Sequence, residues 1–212
     1  MQRKALLGTK LGMSQLWDEQ GYVIPVTLVD VSTNVVTDIK TSEKNGYDAI
    51  QIGYGSIKPG KVTKPLAGHF ERAGVTPRRH LVEYKTPDAS EYQLGQELAP
   101  DTFEEGAVVD VIGTTKGKGF AGTIKRWGFR SYRRTHGSHK NERRPGSVGA
   151  CATPSRVFRG KRMAGRMGSD RQTIQNLKVV EVNAEKGFIA IKGALPGSKG
   201  SLVLIRSAVK GA

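Results

Sequence analysis

The chain has 212 residues, with 34 Lys and Arg against 19 Asp and Glu, a formal charge of +15 and a sequence pI near 10.1. Counting glycine and leaving out tyrosine, about 47% of the residues are apolar, inside the usual range of roughly 45–50%, so a folded core is expected, and the 27 glycines follow no G-X-Y period, which excludes collagen. Cys151 is the single cysteine, no apolar core for a signal peptide follows Met1-Gln-Arg-Lys4, and no apolar run nears the ~18 residues of a membrane span, so an intracellular protein with a polyanionic partner and no membrane contact is expected.

Along the chain, Asp18-Glu-Gln-Gly21 is a turn signal, and the period-two alternation from Tyr22 to Val31 beyond it predicts a hairpin. Strands are predicted over Asn34 to Lys40 and Ala49 to Tyr54, a short helix over Lys64 to Ala73, and a strand over Val108 to Ile112. Phe120, Ile124 and Trp127, at i, i+4 and i+7, predict a second helix from Phe120 to Trp127, and strands follow at Leu177 to Asn183, Phe188 to Lys192 and Leu202 to Arg206. Short strands separated by Gly, Pro and Asn predict a mainly β fold, a small barrel with few short helices. Its body is assigned to residues 1–113 plus 172–212, with a small helical insertion near 63–73, and residues 114–171 are assigned to an extension.

That extension holds nearly all of the excess charge. Thr114 to Arg171 contain sixteen Lys and Arg against Glu142 and Asp170, a net +14 in 58 residues, while the other 154 residues carry a net +1. With only Ile124, Val148 and Val157 as branched aliphatics, the segment cannot bury enough apolar surface to offset its ordering entropy alone. Single-stranded or folded nucleic acid supplies the needed partner, because phosphates neutralise Lys and Arg and release counterions. The candidate RNA-binding residues are Lys116, Lys118, Lys125, Arg126, Trp127, Arg130, Arg133, Arg134, His136, His139, Lys140, Arg143, Arg144, Arg156, Arg159, Lys161, Arg162 and Arg166. Interleaved aromatic rings can stack on exposed bases; Trp127 can equally complete a short apolar helix face packed on the protein itself. Lys116-Gly-Lys-Gly-Phe-Ala-Gly122 recurs weakly as Arg159-Gly-Lys-Arg-Met-Ala-Gly165, placing a small-residue, basic anchor near each foot of the extension.

No catalytic pattern survives scrutiny. Gly117-Lys-Gly119-Phe-Ala-Gly122 spells GxGxxG after a strand, but no second buried strand ends at Glu142, as a dinucleotide fold requires. Gly113-Thr-Thr-Lys-Gly-Lys-Gly119 has the wrong spacing for a phosphate-binding P-loop. His136, His139 and Cys151 are one ligand short of a closed zinc site, and no serine has the nucleophile-elbow spacing. The expectation is a non-enzyme with no cofactor and no metal. A nucleotide-using enzyme and a free-standing DNA-binding protein are the rival readings.

Phe103 through Asp110, Gly113, Thr115, Gly117-Lys-Gly119, Gly122 and Arg126, with Leu7 to Met13, Pro25 to Thr27, Thr63 to Phe70, Val157 to Gly165 and Lys192 to Gly197, look like the sequence blocks of a known family. The chain resembles, essentially end to end, the bacterial form of large-subunit ribosomal protein three. The resemblance implies a translation-protein-type β-barrel with a long basic loop threading large-subunit (23S) ribosomal RNA toward the peptidyl transferase centre. It also implies early subunit assembly, cytoplasmic location in the large subunit, and ribosomal proteins fourteen and nineteen as neighbours. The loop tip corresponds to Gly149, Ala150, Cys151, Ala152, Thr153 and Pro154. Relatives with Gln at the positions of Ala150 or Ala152 can be methylated there; with Ala at both, that modification is expected to be absent.

Overall fold

The alternating strands read from the sequence close on themselves. The computed structural model describes residues 4–210. In chain order the elements are β1 (Ala5–Trp17), β2 (Val23–Asp30), β3 (Asn34–Lys40), α1 (Ser42–Asn45), β4 (Ala49–Ser56), α2 (Lys64–Ala73), β5 (Arg78–Lys85), β6 (Glu97–Leu98), β7 (Val108–Thr114), β8 (Phe120–Ala121), α3 (Thr123–Trp127), β9 (Gly165–Arg166), β10 (Arg171–Asn183), β11 (Phe188–Lys192) and β12 (Leu202–Ser207). The chain divides into two compact units, Thr115–Asp170 and the remainder.

In the larger unit six strands form a closed barrel in the order β1-β12-β7-β10-β11-β2, every pair antiparallel. Closure removes the unpaired edges that an open sheet would leave. Leu6, Leu7, Val29, Val111, Val179, Ile189, Ile191, Val203 and Ile205 are buried and share one core with Ile50, Ile52, Tyr54 and Tyr84 of a second antiparallel sheet, β5-β4-β3-β6. Asn34 joins the two sheets. Its amide nitrogen donates to the carbonyls of Leu7 and Val31 at 2.7 and 2.9 Å while its Oδ1 accepts from the Leu7 N–H at 2.9 Å, so this buried amide is fully used. The predicted hairpin is the β1–β2 pair: Asp18 Oδ1 accepts the N–H groups of Gln20 and Tyr22, and Gly21 supplies the positive φ of +81° that the turn requires.

The strands that carry the chain into and out of the smaller unit are tied together by one buried carboxylate. Asp110 on β7 is fully buried; it accepts from the Arg206 guanidinium of β12 at 3.1 Å, from the Asn176 N–H of β10 at 3.2 Å and from the Val209 N–H at 3.4 Å. Asn176 sits at φ +57° where β10 shifts register against β7, a conformation that Asn tolerates better than most residues. Thr114 and Arg171 are register partners, so the intervening residues start and finish on adjacent strands.

Several elements differ from expectation, α1, β6 and β9 being short additions to those predicted. β10 starts at Arg171, well before the predicted Leu177, because the polar residues at its start satisfy their backbone on β7 rather than bury an apolar face. β5 carries charge at both ends and gave no alternation, yet pairs along its length with β4. The predicted helix over Phe120 to Trp127 is a two-residue strand, Phe120–Ala121, followed by α3 from Thr123. Phe120, 78% exposed, therefore cannot share a helix face with Ile124 and Trp127, and the three-residue apolar stripe does not form.

Candidate nucleic-acid interface

The smaller unit begins as a stem. Thr115 N–H donates to Asp170 O at 3.0 Å, Ser169 N–H to Thr115 O at 3.2 Å, Lys118 N–H to Met167 O at 2.8 Å and Met167 N–H to Gly119 O at 2.9 Å; then β8 pairs with β9, Phe120 opposite Arg166 and Ala121 opposite Gly165. The two segments of the weak internal repeat thus meet at Gly165. Glycine makes the closeness possible: a Cβ on Gly168, whose φ is +78°, would run into the Lys116 carbonyl, and one on Gly165 would strike the Arg126 guanidinium 2.5 Å away. Lys116, Lys118 and Arg166 project as exposed side chains from this stem.

Beyond the stem, α3 carries Lys125, Arg126 and Trp127 and stops at Gly128 in the left-handed conformation. The Trp127 indole N–H and the Arg126 guanidinium both donate to the Met163 carbonyl, at 2.8 and 3.0 Å. The guanidinium carbons of Arg126 and Arg162 lie over the indole ring, 4.9 and 5.6 Å from its centroid. Trp127 is therefore anchored on its own unit while 40% of its surface stays exposed. Sequence reasoning had no way to find Met163 as the receiving group, since the feature that matters is its backbone carbonyl.

Arg130, Arg133, Arg134, His136, His139, Lys140, Arg143 and Arg144 occupy the irregular segment that follows, all exposed. Glu142 organises it: its carbonyl accepts from the Tyr132 N–H at 3.1 Å and the Ser131 hydroxyl at 2.8 Å, and its carboxylate pairs with Arg134 at 2.9 Å. Phe129 to Arg133 with Arg144 and Pro145 line a concavity of about 660 Å³. Gly149, Ala150, Cys151, Ala152, Thr153 and Pro154 form an exposed turn, its approach fixed by the Ser147 hydroxyl donating to Gly149 O at 3.0 Å. Of the returning residues Arg156, Arg159, Lys161 and Arg162, also exposed, Arg156 lies over the Phe158 ring at 5.2 Å.

The electrostatic consequence is simple. Within Thr115–Asp170 only Ala121 and Thr123 are buried, and among the described residues Arg134 with Glu142 is the only ion pair there. Like charges are thus held at close quarters facing solvent. Eighteen sequence-predicted residues lie on this one unit, and all but half-buried Arg126 are exposed. Arg126, Trp127 and Arg162 are brought into contact, whereas His136, His139 and Cys151 are not gathered into a ligand set: among the described residues no three His, Cys, Asp or Glu side chains could hold a metal ion.

Comparison with known proteins bears on what such a surface meets. The sequence model of a family described as Ribosomal protein L3 matches residues 82–188. The chain is 74% identical over 210 residues to the large ribosomal subunit protein uL3 of Bifidobacterium longum (strain NCC 2705), with 99% of each chain covered. It is 62% identical over 211 residues to the protein of the same name from Kocuria rhizophila, covering 100% of this chain and 97% of the relative. Against the Cutibacterium acnes protein of that name the identity is 59% over 207 residues, with 98% and 93% covered.

Proposed function

The chain belongs to the ribosomal protein L3 family, a structural constituent of the large ribosomal subunit in the bacterial cytoplasm and not an enzyme, and from that premise we propose that Thr115–Asp170 is an arm that binds the ribosomal RNA of that subunit. One observation carries the reading: fifteen Lys and Arg stand against two acids in a unit with two buried residues, so the charge faces outward and, the Arg134–Glu142 pair aside, is not neutralised internally. Folded RNA packs phosphates closely, and cations at that density offset the repulsion while releasing counterions. Lys116, Lys118 and Arg166 act from the stem, Lys125, Arg126 and Arg162 around Trp127, Arg130, Arg133, Arg134, Lys140, Arg143 and Arg144 along the outgoing leg, and Arg156, Arg159 and Lys161 along the return. His136 and His139 serve as hydrogen-bond donors or acceptors to phosphate or base edges. With its N–H already donated to Met163, Trp127 offers exposed ring surface rather than a polar contact.

The tip, Gly149 to Pro154, has no charge and only small side chains, which suits steric fit against folded RNA rather than phosphate neutralisation. It is the part that approaches the peptidyl transferase centre. Early entry into subunit assembly and contact with ribosomal proteins fourteen and nineteen complete the proposal. The test is nucleotide-resolution crosslinking of purified large subunits: crosslinks from the arm should fall on 23S ribosomal RNA, those of the tip nearest the catalytic centre. Crosslinks confined to the barrel would overturn the reading.

A further inference from the structure

We propose that one face of the β1–β2 hairpin is a docking surface for a cationic, extended segment of another protein of the large subunit. The proposal rests on family membership but not on the RNA-binding role of the arm. β12 pairs with β1 only from Ala5 to Thr9, and β11 pairs with β2 only from Val26 to Asp30. β1 and β2 nevertheless remain paired with each other as far as Trp17 and Val23. The distal hairpin therefore runs past the barrel ladder; beyond Lys10 the outer edge of β1 is unpaired by any described strand, the kind of edge that accepts an added strand, whereas on β2 the Pro25 carbonyl already accepts the Gly193 N–H at 2.8 Å.

Register decides what the face displays. Met13, Gln15 and Trp17 alternate on one side of β1, opposite Thr27, Pro25 and Val23 of β2. Met13 is 59% exposed, Trp17 62% and Val23 54%; Tyr22 in the adjoining turn is 68% exposed. Thr27, at the barrel end of this face, is covered and donates its hydroxyl to the Gly193 carbonyl at 2.6 Å, so the patch starts where the barrel's own packing stops. Exposed apolar side chains gathered on one sheet face in this way, with Gln15 the polar residue among them, suit an interaction surface.

Charge selects the occupant. From Leu11 to Ile39 there is no Lys or Arg, although the chain holds 34 in all, and the same stretch carries Asp18, Glu19, Asp30 and Asp38. The cations nearest in register are Lys10, whose ammonium donates to the carbonyls of Leu195 and Gly197, and Lys192, opposite Val26 at the barrel end. RNA phosphate would meet acids and apolar rings here and no cation. A segment with Lys or Arg beside apolar side chains would place its charges on Asp18 and Glu19 and its apolar groups over Met13 and Trp17.

The test places a photoreactive benzophenone amino acid at Tyr22 of the full chain, incorporates it into large subunits in cells, and irradiates the purified subunits. The expected product is a link to one other ribosomal protein, at a peptide whose net charge is positive. Adding Met13→Glu with Trp17→Glu should lower the link at least tenfold, and Glu19→Lys alone about threefold, since it reverses charge without removing apolar surface. Melting of each free chain checks that the barrel is intact, and the single substitution keeps the test decisive if the double one unfolds. A link to ribosomal RNA, a link to a second copy of this chain, a linked peptide without net positive charge, no link at all, or a yield indifferent to both variants would each overturn the proposal. Arm crosslinks to RNA are read separately in the same subunits.

Discussion

If the arm neutralises phosphates, its salt dependence is set by how many of its cations are free to do so. Of the fifteen Lys and Arg in Thr115–Asp170, Arg134 is paired with Glu142 and Arg126 donates to Met163, leaving thirteen. A limb presents about half of its side chains to one surface, so six to seven contacts are expected; at ~0.7–0.9 per contact, log K should fall against log salt with a slope of magnitude about 4–6. Between about 50 and 200 mM salt that is a loss of roughly 2.5 to four decades in affinity. Arg159 and Lys161 are exposed and stand in the returning leg. Replacing both by Ala should flatten the slope by about 1.4–1.8 without altering the melting temperature, because neither packs in a core. Binding of the full chain to a 23S fragment, followed by filter retention across a salt series, measures both quantities. A parental slope below about 2, or a variant slope equal to the parent's, would show that these cations do not meet phosphate.

Four further outcomes are expected. Ala152→Trp should lower puromycin reactivity per occupied subunit while leaving occupancy intact, whereas Lys161→Glu with Arg162→Glu should lower occupancy itself; mass spectrometry of purified subunits separates the two, and equal occupancy loss in both would refute the assignment of the tip. Asp110→Ala leaves the Arg206 guanidinium and two N–H groups without their acceptor, and since Arg206 keeps some access to water the cost should sit near the low end for a broken buried pair, about 3 kcal/mol by urea denaturation. Gly168→Ala forces a Cβ against the Lys116 carbonyl at positive φ, so trypsin should cut the arm several-fold faster than in the parent while barrel peptides stay protected. Burial alone would raise the Asp38 carboxyl, but the hydrogen bond and charge of Lys40, 2.8 Å away, together with Arg72 hold it below its ordinary value of 3.8. The stability it contributes is present above that value and lost as pH falls through the depressed one, so the urea-midpoint gap between the parent and Asp38→Asn should be full at neutral pH and narrow as the pH is taken progressively below 3.8.

The clustering of Lys and Arg between 114 and 171, and the scarcity of aliphatics there, are properties of the linear chain. No tertiary information is needed to see that such a segment must stay on the surface. The barrel was legible for a related reason: Asn34 to Lys40, Phe188 to Lys192 and the residues around Val109 are apolar enough that burial, which is local chemistry, reports their conformation. Where strands are held by partners distant in sequence instead of by their own burial, the sequence is silent. Arg171 to Ile174 are extended because β7 offers them its backbone, and Phe120 leaves the helix its spacing suggests because Arg166 stands opposite it. Trp127 shows the same limit in a side chain. Its spacing left base stacking and self-packing equally open, and the outcome, an indole N–H seated on the Met163 carbonyl between two guanidiniums, depends on a return leg 36 residues away that only the closed stem brings within reach.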